Sequence, residues 1–163
     1  GLQLADPVIV ARTGWTTAEL NAAIDRADPT GANLLVTLLI GVNNQYRGLS
    51  LDEYRIEFAD LLDRAIAFAD GEPDRVVVLS IPDWGVTPFA SGANTARIAD
   101  DIDAFNAVAA EETAAAGAHF VDITGISRSA PNMVTSDGLH PSGEMYRMWA
   151  EAALETVIAI LEG

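Results

Sequence analysis

Residues 33–40 read Asn33-Leu34-Leu35-Val36-Thr37-Leu38-Leu39-Ile40, and Gly41-Val42-Asn43-Asn44-Gln45-Tyr46-Arg47-Gly48 follows at once. The first run is apolar on both faces, the pattern of a strand covered from two sides rather than lying on one core. The second is a polar loop with a glycine at each end, and a helical pattern succeeds it. Ser50 with Glu53 three residues later reads as a capping box. Leu51, Tyr54, Phe58, Leu61, Leu62, Ala65 and Phe68 then fall on one helix face. Strand, polar loop, helix is the repeating unit of an α/β fold.

The unit recurs on both sides. Upstream, Asp6–Ala11 is a short β-branched run that predicts a first strand, followed by Arg12-Thr13-Gly14-Trp15 and a helix opened by a Thr16/Glu19 capping box and continued by Leu20, Ala23, Ile24 and Ala27. Asp28-Pro29-Thr30-Gly31 closes that helix. Downstream, Val76–Ile81 predicts a third buried strand, and Ile98, Ile102, Phe105 and Val108 mark a helix ending near Gly117. Residues 118–123 predict a fourth strand. A last helix starts at Ser142, with Met145, Met148, Trp149, Ala152, Ala153, Thr156, Val157 and Ile160 facing inward. The expected architecture is one domain over 1–163: a parallel sheet of four strands between helices, with its ligand beyond the carboxyl ends of the strands.

Composition narrows the partners. Half of the 163 residues are hydrophobic, enough for a real core. All nine basic residues are Arg against 24 acidic ones, a net charge of −15 that repels phosphate backbones and anionic headgroups, so neither nucleic acid nor a membrane is an expected partner. No apolar run reaches the roughly 18 residues of a membrane span, and residues 1–6 have neither the basic region nor the apolar core of a signal peptide. With no Cys, thiolate metal sites are excluded, and no cofactor is expected.

Two loops are long enough to carry function. Residues 82–92 hold Trp84 and Phe89, which can wall an acyl or aryl pocket or simply cover the core. Arg47 and Asp83, near the same rim, can pair with each other or hold a polar substrate group. The second loop, 124–141, ends in Ser136-Asp137-Gly138-Leu139-His140-Pro141. A carboxylate and an imidazole three residues apart can face the same way, Asp137 accepting from one ring nitrogen of His140 and leaving the other as a base. Asp-Gly is also a common turn pair, and the local spacing alone leaves both readings open. Two ligands without a nearby third make a metal site at Asp137 and His140 improbable on chemistry. His119 opens a strand away from this rim and reads as structural.

Taken in order, Gly14 after the first expected strand, Gly41-Val42-Asn43-Asn44 after the second and Asp137-Gly138-Leu139-His140 before the last helix resemble three of the four sequence blocks of the SGNH hydrolases, also called GDSL-type esterases and lipases. The resemblance implies a three-layer α/β/α sandwich with a parallel, flavodoxin-like sheet. It also implies hydrolysis of small esters, acyl, aryl or acetyl-sugar, through an acyl-enzyme. It assigns His140 as base, Asp137 as its orienter, and the Gly14 N–H and Asn43 amide as the oxyanion hole. Asn44 stands where the family pattern has Asp. The first block, Gly-Asp-Ser with the nucleophile, is absent, and no serine follows a first strand. In the family order 2-1-3-4-5 the missing strand would be interior, between the run at 6–11 and that at 33–40. The expectation is therefore a chain lacking roughly 30–45 residues at its N-terminus, one strand and one helix by length, that carry the serine and complete the sheet. The alternative is a binding or scaffold domain that kept the fold without its nucleophile.

Overall fold

The computed structural model describes residues 5–29 and 31–162. Residues 1–4, Gly163, and Thr30 of the expected turn lie outside the described residues. In chain order the main elements are α1 (Thr17–Ala27), β1 (Val36–Leu38), α2 (Val42–Tyr46), α3 (Leu51–Phe68), β2 (Val76–Leu79), α4 (Thr95–Ala116), β3 (His119–Val121), α5 (Thr124–Ser129) and α6 (Gly143–Glu162). Three short 3-10 turns lie at Pro73–Arg75, Trp84–Val86 and Pro88–Ala90.

The sheet is parallel throughout, in the order β1-β2-β3, with Val36 opposite Val76, Leu38 opposite Val78 and Val78 opposite Phe120. Its two faces carry two cores, because successive strand residues point to opposite sides. Leu38, Val78 and Phe120 pack with α1, α3 and α4 in the larger core, around Tyr54, Phe58, Leu61, Leu62 and Ile102. Leu79 and Val121 point the other way and meet Ile123, Met145 and Trp149 from the ends of α5 and α6. Tyr54 is the hinge of the larger core, its ring 4.6 Å from Phe105 and 5.5 Å from Phe58. Burial pushes its phenol well above the usual range.

The caps read from sequence form as hydrogen bonds. Thr16 and Glu19 make both arms of a capping box, Glu19 N–H to Thr16 Oγ1 and Thr16 N–H to Glu19 Oε2. Ser50 makes only one arm, accepting from the Glu53 N–H. Ser142 Oγ accepts from the Met145 N–H at the start of α6, and Gly117, with φ 78°, ends α4. Along α6 the inward stripe is narrower than expected: Met145, Trp149 and Ala153 are buried, and Ala152 is exposed.

Three expectations are corrected. The run at 6–11 is not a strand: it pairs with no strand among the described residues, and Val8 and Ile9 are 73% and 77% exposed. Extended residues count as a strand only when a neighbour takes up their backbone groups, so β-propensity alone could not make one here. The sheet accordingly has three strands, each shorter than its apolar run. The loops at 41–48, 82–92 and 124–141 also contain short helices, α2 and α5 among them.

The second sheet face is sparsely covered. Tyr146, Leu154 and Ile158 form an exposed apolar stripe along α6, and Leu34 and Leu39 flank β1 in the open. No helix among the described residues is long and apolar enough to cross a membrane.

Candidate active site

A cavity of about 790 Å³ opens at the carboxyl ends of the strands. It is lined from the loops after β1 (Asn43, Tyr46), β2 (Asp83, Trp84) and β3 (Met133, His140), and by the 11–15 segment containing Gly14. In parallel sheets this rim is where loops diverge and leave room for a ligand.

His140 stands at the tip of a small hairpin. Val134 and Pro141 form an isolated antiparallel bridge, Thr135 N–H donates to the His140 carbonyl over 2.7 Å, and Ser142 N–H donates to the Met133 carbonyl over 3.0 Å. Within it, His140 Nδ1 lies 2.6 Å from Asp137 Oδ2. The other oxygen, Asp137 Oδ1, accepts from Thr135 Oγ1 at 2.7 Å, Leu139 N–H at 2.9 Å and His140 N–H at 3.0 Å. The Leu139 N–H first, then the imidazole, the Thr135 hydroxyl and the His140 N–H, hold the Asp137 carboxyl far below the usual carboxylate range. An ionised Asp137 accepts the Nδ1 proton, which leaves the lone pair of the neutral ring on Nε2. His140 Nε2 has no partner among the described residues. Thus the turn reading and the base-orienting geometry hold together: the Asp-Gly turn is what brings carboxylate and ring into register.

Across the cavity, the 14–17 segment is laced to α2 and the residue after it. Arg47 Nη2 donates to the Gly14 carbonyl at 2.6 Å, and Asn43 Nδ2 donates to the Trp15 carbonyl at 3.0 Å. Arg47 also pairs with Glu19 at 3.3 Å. Gly14 has φ 91° and open space where a Cβ would stand. Its conformation is that of a turn glycine, and its N–H has no acceptor among the described residues. Asn43 spends one of its two amide protons on Trp15, so the other remains available. Gly41, at the start of α2, has φ 123°, and a Cβ there would lie 2.8 Å from the Tyr54 ring.

Trp84 lines the cavity and Phe89 does not. Phe89 instead meets Trp84 edge-on, ring centroids 6.2 Å apart, and both meet Tyr46, which is 5.2 Å from Trp84 and 6.4 Å from Phe89. Trp84 Nε1 is fixed by Gln45 Oε1 at 2.7 Å, and the Phe89 N–H donates to the Gly138 carbonyl at 3.0 Å, fastening this aromatic corner to the histidine loop. Arg47 and Asp83 are both ion-paired, but not with each other: buried Asp83 accepts from Arg128 Nε at 2.8 Å. His119 Nε2 contacts the Asp74 carbonyl at 3.0 Å, away from the cavity. Tyr46 and Trp149, which line the cavity, were not assigned to the site from sequence. Only the glycines bracketing α2 hinted that 41–48 is a structured loop. Trp149, read as core, is buried and lines the cavity, and its indole Nε1 has no acceptor among the described residues.

Residues 2–148 match the model of the GDSL-like Lipase/Acylhydrolase family. The chain belongs to that family. This GDSL-like hydrolase shares its fold with several solved structures at low identity. TesA is 20% identical with a TM-score of 0.59, over 89% of this chain and 73% of that one. LAE5, an α/β hydrolase from the metagenome of Lake Arreo, Spain, is 21% identical with a TM-score of 0.66, over 90% and 70%. Axe2, an acetylxylan esterase from Geobacillus stearothermophilus, is 19% identical with a TM-score of 0.65, over 88% and 68%. No curated protein sequence matches the chain. The GDSL-like hydrolase is an enzyme of ester hydrolysis, with the α/β architecture and parallel sheet of the SGNH group.

Proposed function

We propose that this protein hydrolyses small, uncharged carboxylic esters through an acyl-enzyme, with His140 as base, Asp137 as its orienter and Gly14 and Asn43 as the oxyanion donors. The observation that carries the reading is the convergence of Gly14, Asn43 and His140, from loops far apart in sequence, on one cavity, with Asp137 bonded to the histidine. A serine hydroxyl attacks the ester carbonyl, and His140 Nε2 takes its proton. The tetrahedral oxyanion is met by the Gly14 N–H and the free Asn43 N–H. His140 then returns the proton to the leaving alcohol as the carbon–oxygen bond breaks; water, deprotonated by the same nitrogen, attacks the acyl carbon, and the acyl–serine bond breaks as that proton passes to the serine oxygen and the acid leaves. Trp84 and Tyr46 wall the substrate side, and an acidic surface of net −15 favours neutral esters over anionic ones.

The nucleophile belongs to a strand–helix segment preceding this sequence. Three features support that placement. The serine lining the cavity, Ser127, is buried and spent, accepting from the Asp83 N–H at 2.9 Å and donating to the Thr124 carbonyl at 2.7 Å. The run at 6–11 and the flank of β1 lie open where an interior strand would pair with both. Tyr146, Leu154 and Ile158 leave an exposed apolar stripe along α6 of the kind a following helix would cover.

The test treats the full-length protein with a fluorophosphonate ester and maps the adduct by peptide mass spectrometry. A single adduct on a serine upstream of Gly1, together with nitrophenyl acetate hydrolysis that His140→Ala abolishes, is the expected result. An adduct on a serine of residues 1–163 would move the nucleophile into this chain. No adduct and no turnover would leave a binding domain without catalysis.

A further inference from the structure

We propose that Asn44, acting through Thr17 and Glu57, is a positioning residue that sets the distance between the two oxyanion donors. The proposal rests on the assignment of Gly14 and Asn43 to the oxyanion site. Asn44 is 1% exposed, and both ends of its amide are spent on one residue: Oδ1 accepts from the Thr17 N–H at 3.1 Å, and Nδ2 donates to Thr17 Oγ1 at 2.6 Å. A backbone N–H can only donate, so the atom facing it must be the oxygen, which fixes the orientation of the amide. Thr17 Oγ1, fully buried, then passes its own proton to Glu57 Oε2 on α3. The result is a directional chain, Asn44 amide to Thr17 hydroxyl to Glu57 carboxylate, with every proton assigned.

Its place in the fold gives it a function. Gly14 precedes Thr17 by three residues, Asn43 is the neighbour of Asn44, and nothing local holds the two donors together across the intervening sequence. The ties from Arg47 to Gly14 and from Asn43 to Trp15 lie on the partly exposed side. The Asn44–Thr17 pair is the buried tie, where hydrogen bonds are electrostatically strongest and leaving one unmade costs most. Two donors stabilise an oxyanion only when both point at the same spot, and a misplacement of about 1 Å can cost a hundred-fold in rate.

Asn44 also stands where the family pattern has Asp, and Glu57 explains why Asn suits this chain. A carboxylate at position 44 would face the Thr17 hydroxyl with a second acceptor, and one proton cannot serve both it and Glu57. Replacing Glu57 by Gln at the same time reverses the chain: the new amide at position 57 donates to the Thr17 hydroxyl, the hydroxyl donates to the new carboxylate at position 44, and every bond is restored with the charge unchanged.

The experiment measures kcat and KM for nitrophenyl acetate in the full-length protein, each normalised to active sites titrated with a phosphonate ester. N44D is expected to lower kcat about a hundred-fold with little change in KM, and N44D/E57Q to recover most of that loss. Thr17→Val should lower kcat and Thr17→Ser, which keeps the hydroxyl, should do so less, so the proposal stays testable if N44D does not fold. A purely structural role would lower the melting temperature and the titratable fraction but leave kcat per titrated site unchanged. That outcome, with Asn43→Ala still losing kcat, overturns the proposal alone. Full activity in Asn43→Ala would overturn the oxyanion assignment and this proposal with it.

Discussion

Asn43 donates from Nδ2 to the carbonyl of Trp15 over 3.0 Å, joining a helix that follows β1 to the loop that opens α1. This bond leaves the second amide N–H free, as the proposed oxyanion role requires, and ties α2 to the segment beside Gly14. Asn43→Ala is expected to lower kcat by about a hundred- to a thousand-fold, the usual effect of losing one oxyanion donor, while KM changes little. Steady-state kinetics on nitrophenyl acetate check it, and a rise in KM at constant kcat would assign Asn43 to ground-state binding instead.

Asp137 governs which nitrogen of His140 carries the proton. In Asp137→Asn the oxygen can still take the Leu139 and His140 N–H groups, but the amide then offers an N–H to Nδ1, and the ring proton is driven to Nε2, where a base is needed. The expected loss in kcat is on the order of ten-thousand-fold with the hairpin intact. Retained hydrogen-exchange protection at Leu139 and His140, alongside lost turnover, is the signature to look for.

The depressed Asp137 carboxyl also fixes the sign of a pH effect. Its pKa is lower in the folded than in the unfolded chain, so the unfolded state binds more protons as the pH falls. Its contribution to stability is full above the unfolded value, about 3.9 for an aspartate, and is lost as the pH drops through the folded one. Thermal melts of the native protein and Asp137→Asn should differ above about pH 4 and converge as the pH falls below it.

Gly41→Ala tests the turn that launches α2. The new Cβ would lie 2.8 Å from the buried Tyr54 ring, on a backbone with φ 123°. Strain and overpacking together predict a loss of roughly 2–4 kcal/mol in unfolding free energy, read as a lower midpoint in urea. A variant as stable as the parent would mean that the Tyr54 side of the core yields freely.

The sequence by itself determined what depends on near neighbours. Apolar runs located the three paired strands, Thr16/Glu19 and Ser142 located helix starts, and the three-residue spacing of Asp137 and His140 allowed a carboxylate to face an imidazole, which the turn at Gly138 then realises in the fold. The order of the family's blocks pointed to Gly14 and Asn43, but nothing local could say that they meet. Only the tertiary structure decided that, through hydrogen bonds spanning 28 residues from Asn43 to Trp15 and 27 from Asn44 to Thr17. It also decided that Trp84 faces the cavity while Phe89 does not, since an aromatic side chain in a loop goes where neighbouring rings leave room. And it decided that residues 6–11 form no strand, for a strand is a relation between two chains of hydrogen-bonding groups, and propensity in one segment cannot supply its partner.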